Sequence, residues 1–129
     1  MEPTPLAKTF QYGDITEKIL EAAFEVGKEL GSGFLESVYK NAMVIAIRAK
    51  GLKVETERPI SVIFRDQQVG QFYADLFVDD KVIVELKAVS ALALEHSAQT
   101  INYLKATGVE VGLLINFGRP RIEYKRLHK

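Results

Sequence analysis

Within the stretch "YADLFVDDKVIVELKA", Tyr73 to Ala88, two carboxylates and an amine sit among apolar residues. Asp75 lies in one apolar run, Glu85 and Lys87 in the next, and Asp79-Asp80-Lys81 separates them. A hard cation such as Mg²⁺ takes one or two carboxylates and keeps several waters. Asp75 and Glu85 can supply those carboxylates, and the backbone carbonyl of Leu86 a third oxygen. Such an ion lowers the pKa of bound water and stabilises charge on a phosphate. Lys87 could hold the attacking water or hydroxide, which together makes an apparatus for phosphodiester hydrolysis.

Whether these groups meet depends on register. A two-residue turn at Asp79-Asp80 would pair Asp75 with Val84 and mix charge into the apolar face. A three-residue turn, Asp79-Asp80-Lys81, pairs Val78 with Val82 and gathers Ala74, Leu76, Val78, Val82, Val84 and Leu86 on one apolar face. A one-residue slip flips every side chain, so the uniform face selects the second register. It sets Asp75 directly across from Glu85, with Cβ atoms about 4.5–5.5 Å apart. Lys87 shares that face. Like charges placed directly opposite destabilise a sheet. A shared proton, the lysine or a divalent cation must offset them.

Two further stretches carry polar groups at telling spacings. In "GFLESVY", Gly33 to Tyr39, Glu36 opens a helix and Tyr39 lies one turn on. An acid there is also simply favourable at a helix N-terminus. In "HSAQTINYL", His96, Gln99 and Tyr103 form one stripe beside a core stripe of Leu94, Ala98, Ile101 and Leu104. That places a helix edge over a cleft, with His96 a boundary residue.

These residues need elements to hold them. Residues 1–13 read as a loose arm and 14–129 as one domain. "DITEKILEAAFEVGKEL" predicts a helix opened by an Asp14–Glu17 capping box, with Ile15, Ile19, Ala22, Ala23, Val26 and Leu30 on its apolar stripe. "FLESVYKNAMVIAIRAKG" predicts a second helix burying Leu35, Val38, Ala42, Ile45 and Ala49. "KVETERPISVIFRD" holds one strand or two broken at Pro59; "QQV" reads as a turn, and the hairpin follows. "SALALEHSAQTINYLKATG" is a third helix, "VEVGLLINFG" an apolar strand, and "RIEYKRL" a last strand. Strand, helix, strand across residues 82–117 predicts a crossover between parallel strands. The expected fold class is α/β, a mixed sheet of about four to five strands flanked by helices.

Composition sets the outer limits. The 129 residues suit one core, and 47% hydrophobic with 26% charged is ordinary for a globular chain. No apolar run reaches the roughly 18 residues of a membrane span, and the start lacks signal-peptide features. Cysteine is absent, which excludes a disulfide framework, a thiolate metal site and a Cys nucleophile. A cytoplasmic protein is the default expectation. Seventeen basic and seventeen acidic residues give no net charge, so nucleic acid would be met by a local patch or through a metal ion. The basic residues cluster in "GRPRIEYKRLHK", where Arg119, Arg121, Lys125 and Arg126 are the candidate contacts; a solvated terminal strand reads the same way.

Taken together, these motifs resemble a known group. "GFLESVY" matches the signature of the GxxExxY protein family, within the PD-(D/E)xK nuclease-like superfamily. Asp75 and then Glu85-Leu86-Lys87 match the superfamily's Asp and Glu-x-Lys elements; Gln99 and Tyr103 resemble the Gln-x-x-x-Tyr helix of its RecB-like branch. Ala74 stands where the superfamily often has proline. The resemblance, from about Asp14 to Phe117, implies a restriction-endonuclease-like core in the order α-α-β-β-β-α-β-β. It implies Mg²⁺ or Mn²⁺ held by Asp75 and Glu85, with Glu36 as a ligand or water-mediated contact. It also implies that Lys87 orients the nucleophile, while Gln99 and Tyr103 support the lysine or touch a phosphate.

Three functions remain open on the sequence. The first is a metal-dependent nuclease on DNA or RNA. The second is a nuclease-fold module that binds nucleic acid or a protein partner without cleavage. The third is a structural subunit, in which a homodimer would cover the apolar "VGLLINF" strand.

Overall fold

The computed structural model describes residues 10–129. Helices α1 (Gly13–Leu30) and α2 (Glu36–Arg48) precede strands β1 (Val54–Phe64), β2 (Gln67–Val78) and β3 (Val82–Lys87). Helix α3 (Leu94–Thr107) and strands β4 (Val111–Asn116) and β5 (Glu123–His128) follow. The five strands form one sheet in the order β1-β2-β3-β4-β5, antiparallel except for the β3–β4 pair. This is the mixed α/β sheet the sequence predicts, and the parallel pair is joined by α3 as expected.

The two central strands are apolar on both faces because both are covered. On one face Leu76, Val78, Val82, Val84, Leu113 and Ile115 pack against Ile19, Ala22, Ala23 and Val26 of α1 and Tyr39, Met43 and Ile47 of α2. On the other, Phe77 and Ile83 pack with Ile60, Ala74 and the Tyr103 and Leu104 side chains of α3. Every residue of β4 is buried, so the apolar strand is covered within the chain and gives no argument for a dimer.

The hairpin register is the one selected by the apolar face. Leu76 pairs with Val84, Phe77 with Ile83 and Val78 with Val82. Asp79 and Asp80 turn with φ 52° and 57°, and the Lys81 N–H closes on the Val78 carbonyl at 3.0 Å. Asp79 Oδ1 also accepts the Lys53 N–H at 2.9 Å, which ties this turn to the entry of β1. One member of the expected face moves: Ala74 packs on the α3 side. The β1–β2 pairing runs to Thr56–Leu76 and resumes at Arg58–Ala74, omitting Glu57 and Asp75. Glu57 there has φ 54°, outside strand geometry, and the pairing resumes in the same register beyond it, so the pleat is broken locally with no residue inserted.

Other expectations are corrected. Most of the expected arm lies outside the described residues; α1 starts at Gly13 after Tyr12 in a left-handed conformation, and no side chain caps it. Asp14 is therefore a first-turn acid and not a cap. In α2 the buried stripe is Tyr39, Met43 and Ile47, while Leu35 and Ile45 are 78% and 73% exposed. Both stripes have helical spacing; the one carrying the large Tyr and Met side chains fills the core. Gln67, Gln68 and Val69 belong to β2, and the turn is Arg65-Asp66, both left-handed. A two-residue loop with positive φ at both positions matches the twist of the paired strands.

Candidate active site

Asp75 and Glu85 meet where the β2–β3 pairing ends. Beyond Leu76–Val84 the strands exchange side chain for backbone. The Asp75 N–H donates to Glu85 Oε2 at 2.8 Å, and the Leu86 N–H donates to Asp75 Oδ2 at 2.8 Å. Each carboxylate thus fixes the opposing strand with one oxygen and keeps the other for a further partner. Because the β1–β2 pairing also omits Asp75, this residue sits at a gap on both sides.

The electrostatic cost of this pairing falls on Glu85. It is 5% exposed, and burial first, then the charge of Asp75, pushes its carboxyl up to about 8. The hydrogen bond from the Asp75 backbone and the charge of Lys87 act in the opposite sense; Glu36 adds a further upward push. Near neutral pH the pair therefore holds a proton, or needs a cation in its place. Tyr103 belongs to the same field. Burial, then the charges of Glu85 and Asp75, raise its phenol above the ordinary value.

Glu36 is presented by a loop that explains the spacing of "GFLESVY". Gly33 has φ 113°, a backbone conformation that L side chains rarely adopt. The Tyr39 hydroxyl donates to the Gly31 carbonyl at 2.6 Å and accepts the Phe34 N–H at 3.1 Å. Its ring stacks on Phe117 with centroids 4.7 Å apart. A buried tyrosine thus pins the loop from within the helix, and Glu36 begins that helix. Glu36, Ser37, Lys40, Asp75 and Leu86 line a cleft of about 200 Å³. Ser37 and Lys40 do not figure in the sequence reading. Lys40 was findable, since it lies four residues after Glu36 and shares its face. It forms an ion pair with Glu57, the residue at the break beside Asp75.

Lys87 ends β3, half-buried, opposite Asn116 of β4. Asn116 is fully buried, and it locks the chain that leaves Lys87. Its Oδ1 accepts the N–H groups of Val89 (3.0 Å) and Gly118 (2.9 Å). Its Nδ2 donates to the Val89 carbonyl (2.9 Å) and to Glu123 Oε1 (3.0 Å). Glu123 Oε1 also takes the Leu92 N–H at 3.0 Å. Asn116 has the signature of a positioning residue, but a lone Asn ending an apolar strand gives the sequence reader no such signal.

Helix α3 is rotated from its expected orientation. Its buried residues are Thr100, Tyr103 and Leu104, whereas Leu94 is 80% exposed and Ala98 is exposed. Tyr103 is thus a core residue as well as a site neighbour. Gln99 is exposed and lines, with Tyr103, a separate cleft of about 780 Å³. His96 accepts the Ala93 N–H on Nδ1 at 3.0 Å, the boundary role expected of it.

The four C-terminal basic residues do not form one patch. Lys125 pairs with Leu114 and Arg126 with Leu113, so the two point to opposite faces of β5. Arg126 is half-buried, with its guanidinium over the Phe10 ring at 5.0 Å and donating to the Gln11 carbonyl. Burial lowers its pKa. Arg119, Arg121 and Lys125 are exposed.

Among the described residues no group of three or more His, Cys, Asp or Glu side chains is gathered for a metal. The donor set is instead two carboxylates held at one point, with Glu36 acting from the far wall of the cleft. Two carboxylates and retained water suit Mg²⁺ or Mn²⁺, and such an ion would offset the Asp75 charge that, after burial, raises Glu85.

Residues 13–127 match the family model of the PD-(D/E)XK nuclease superfamily, and the chain belongs to that superfamily. Its nucleases generally use divalent metals. Among solved structures the chain is similar to one titled "Crystal structure of SSO0001", at 16% identity and a TM-score of 0.48, covering 93% of this chain and 80% of that one. No curated protein matches. No helix among the described residues is long and apolar enough to cross a membrane.

Proposed function

We propose that this protein is a divalent-cation-dependent nuclease that hydrolyses phosphodiester bonds in DNA or RNA, of the GxxExxY group and the RecB-like branch. The observation that carries this reading is the exchange between Asp75 and Glu85, two carboxylates fixed at one point by opposing backbone N–H groups. Asp75 and Glu85 would hold Mg²⁺ or Mn²⁺, with the Leu86 carbonyl and Glu36 completing the oxygen set directly or through water. When bound, the ion supplies a nucleophilic water at neutral pH and offsets phosphate charge. Lys87 orients that water beside the carboxylate pair. Tyr103 and Gln99 extend the site toward the substrate, and Arg119, Arg121 and Lys125 supply positive charge for the backbone.

The test is cleavage of single-stranded, double-stranded and branched DNA and of RNA, with Mn²⁺ or Mg²⁺, by wild type and Lys87→Ala. Loss of cleavage in the variant is expected. Cleavage that survives the substitution contradicts the assignment.

A second reading has one observation behind it: Arg119, Arg121 and Lys125 are exposed and can meet phosphates without a metal. On that reading the fold binds nucleic acid without cutting it. Binding would then be salt-dependent, indifferent to metal and weakened by loss of Arg119, Arg121 or Lys125.

A further inference from the structure

The largest cleft described above is not the one between Asp75 and Glu36. It lies between the β1–β2 hairpin and α3, with a volume of about 780 Å³, within the roughly 300–1,000 Å³ range of ligand sites. One wall is the β1–β2 hairpin, where Phe72 keeps 43% of its surface exposed. The other is α3, where the exposed amides of Gln99 and Asn102 stand three residues apart. Ala98 and Ala106 leave the helix wall low between them. The floor is Tyr103, whose ring centroid lies 5.6 Å from that of Phe72.

Each feature narrows the ligand. The charged lining side chains, Glu95 and Lys105, cancel, so the cleft does not select an anion. An exposed aromatic ring offers a flat π-face, on which any nucleobase can stack. Side-chain amides carry both a donor and an acceptor, the pair needed to meet a base edge. In a duplex the base faces are already stacked on their neighbours, so only an unpaired base can enter. Tyr103 packs with Ala74, Phe77 and Ile83 of the strands that carry Asp75 and Glu85, so the floor of this cleft adjoins the carboxylate-bearing hairpin.

We infer that the cleft between Phe72 and α3 seats an unpaired nucleobase, and that the substrate is therefore single-stranded or locally unpaired nucleic acid. This rests on the nuclease reading for its connection to cleavage, but the binding itself requires no metal. Phe72 supplies the stacking face, and Gln99 and Asn102 meet the base edge.

The experiment is fluorescence anisotropy in a chelating buffer with the full chain. The probes are a short single-stranded DNA, the same strand carrying abasic sites, and its duplex. The intact single strand should bind most tightly. Phe72→Ala should weaken it roughly tenfold and abolish the preference for intact over abasic strand. Phe72 also packs on Tyr103, so Phe72→Leu, which keeps apolar bulk without a π-face, is measured alongside with its thermal melt. It should bind like Phe72→Ala while melting like wild type. Equal affinity of wild type for intact and abasic strands, or wild-type binding by Phe72→Leu, overturns the inference. Cleavage of the same strands with Mn²⁺ separates the two claims. Cleavage without base-dependent binding removes only this cleft's role. Base-dependent binding without cleavage removes the nuclease reading and leaves the base site standing.

Discussion

Asp75 and Glu85 each hold the other's strand: the Asp75 N–H donates to Glu85 Oε2, and Asp75 Oδ2 takes the Leu86 N–H, both at 2.8 Å. The exchange keeps two carboxyl groups together at the end of an otherwise ordinary hairpin. Everything expected of the site follows from that enforced proximity.

The first consequence concerns stability against pH. Glu85 is raised from the ordinary 4.5 to about 8 in the folded chain. Protonation of such a group favours the folded state fully below about 4.5, and the contribution fades as pH climbs toward 8. In chelating buffer the melting temperature should fall across this window, by an amount equivalent to a few kcal/mol. Glu85→Gln, measured by the same thermal scans, should flatten the slope. Identical slopes in both proteins would contradict the burial and repulsion assigned to Glu85.

A second prediction isolates Tyr39. Tyr39→Phe keeps the stack on Phe117 but deprives the Gly31 carbonyl and the Phe34 N–H of their partner. Urea denaturation should show a loss of about 1–2 kcal/mol. Because the same loop presents Glu36, cleavage should fall as well. A variant as stable and as active as wild type would show that the hydroxyl does not set the loop.

Gly118 gives a third. A Cβ there would overlap the Val89 backbone, the segment that Asn116 ties down just after Lys87. Gly118→Ala should destabilise the chain by about 2 kcal/mol or more, since backbone cannot yield as a flexible side chain can. Asn116→Ala should act on the same segment, lowering kcat for cleavage more than it raises KM. Unchanged kcat with an unchanged melt would place Lys87 outside the reach of this lock.

Lys87 itself gives the fourth. Lys87→Met keeps the stem and removes the ammonium. Cleavage should drop about 10²–10⁴-fold, the usual effect of losing a positioned proton-handling group. Mn²⁺ uptake should persist, since the metal oxygens belong to other residues.

Much of this was legible in the sequence because one simple pattern governed it. The alternation in β2 and β3 admitted one register with a uniform apolar face, and that register brings Asp75 to Glu85. Where two patterns fitted, the sequence could not choose. In α2 both the Leu35–Ile45 stripe and the Tyr39–Met43–Ile47 stripe have helical spacing, and packing volume decided between them. In α3, Gln99 and Tyr103 do line a cleft together, but the expected core stripe is displaced: Leu94 and Ala98 are exposed, and the Tyr103 ring itself packs in the core beside Leu104. The Arg65-Asp66 turn carries no Gly at its left-handed positions, so Asp66, which tolerates that conformation, is the one local signal for it. Lys125 and Arg126 read as one basic run along the chain, but neighbours on a strand face opposite ways.

The central claim is that Asp75 and Glu85 together hold one divalent cation. Calorimetric titration with Mn²⁺ at pH 7 tests it on wild type and on an Asp75→Asn, Glu85→Gln double variant. Wild type should take up one ion per chain and release about one proton, as the ion replaces the one held by a carboxyl raised to about 8. The double variant should show neither heat nor proton release. Equal uptake by the two proteins would contradict the account.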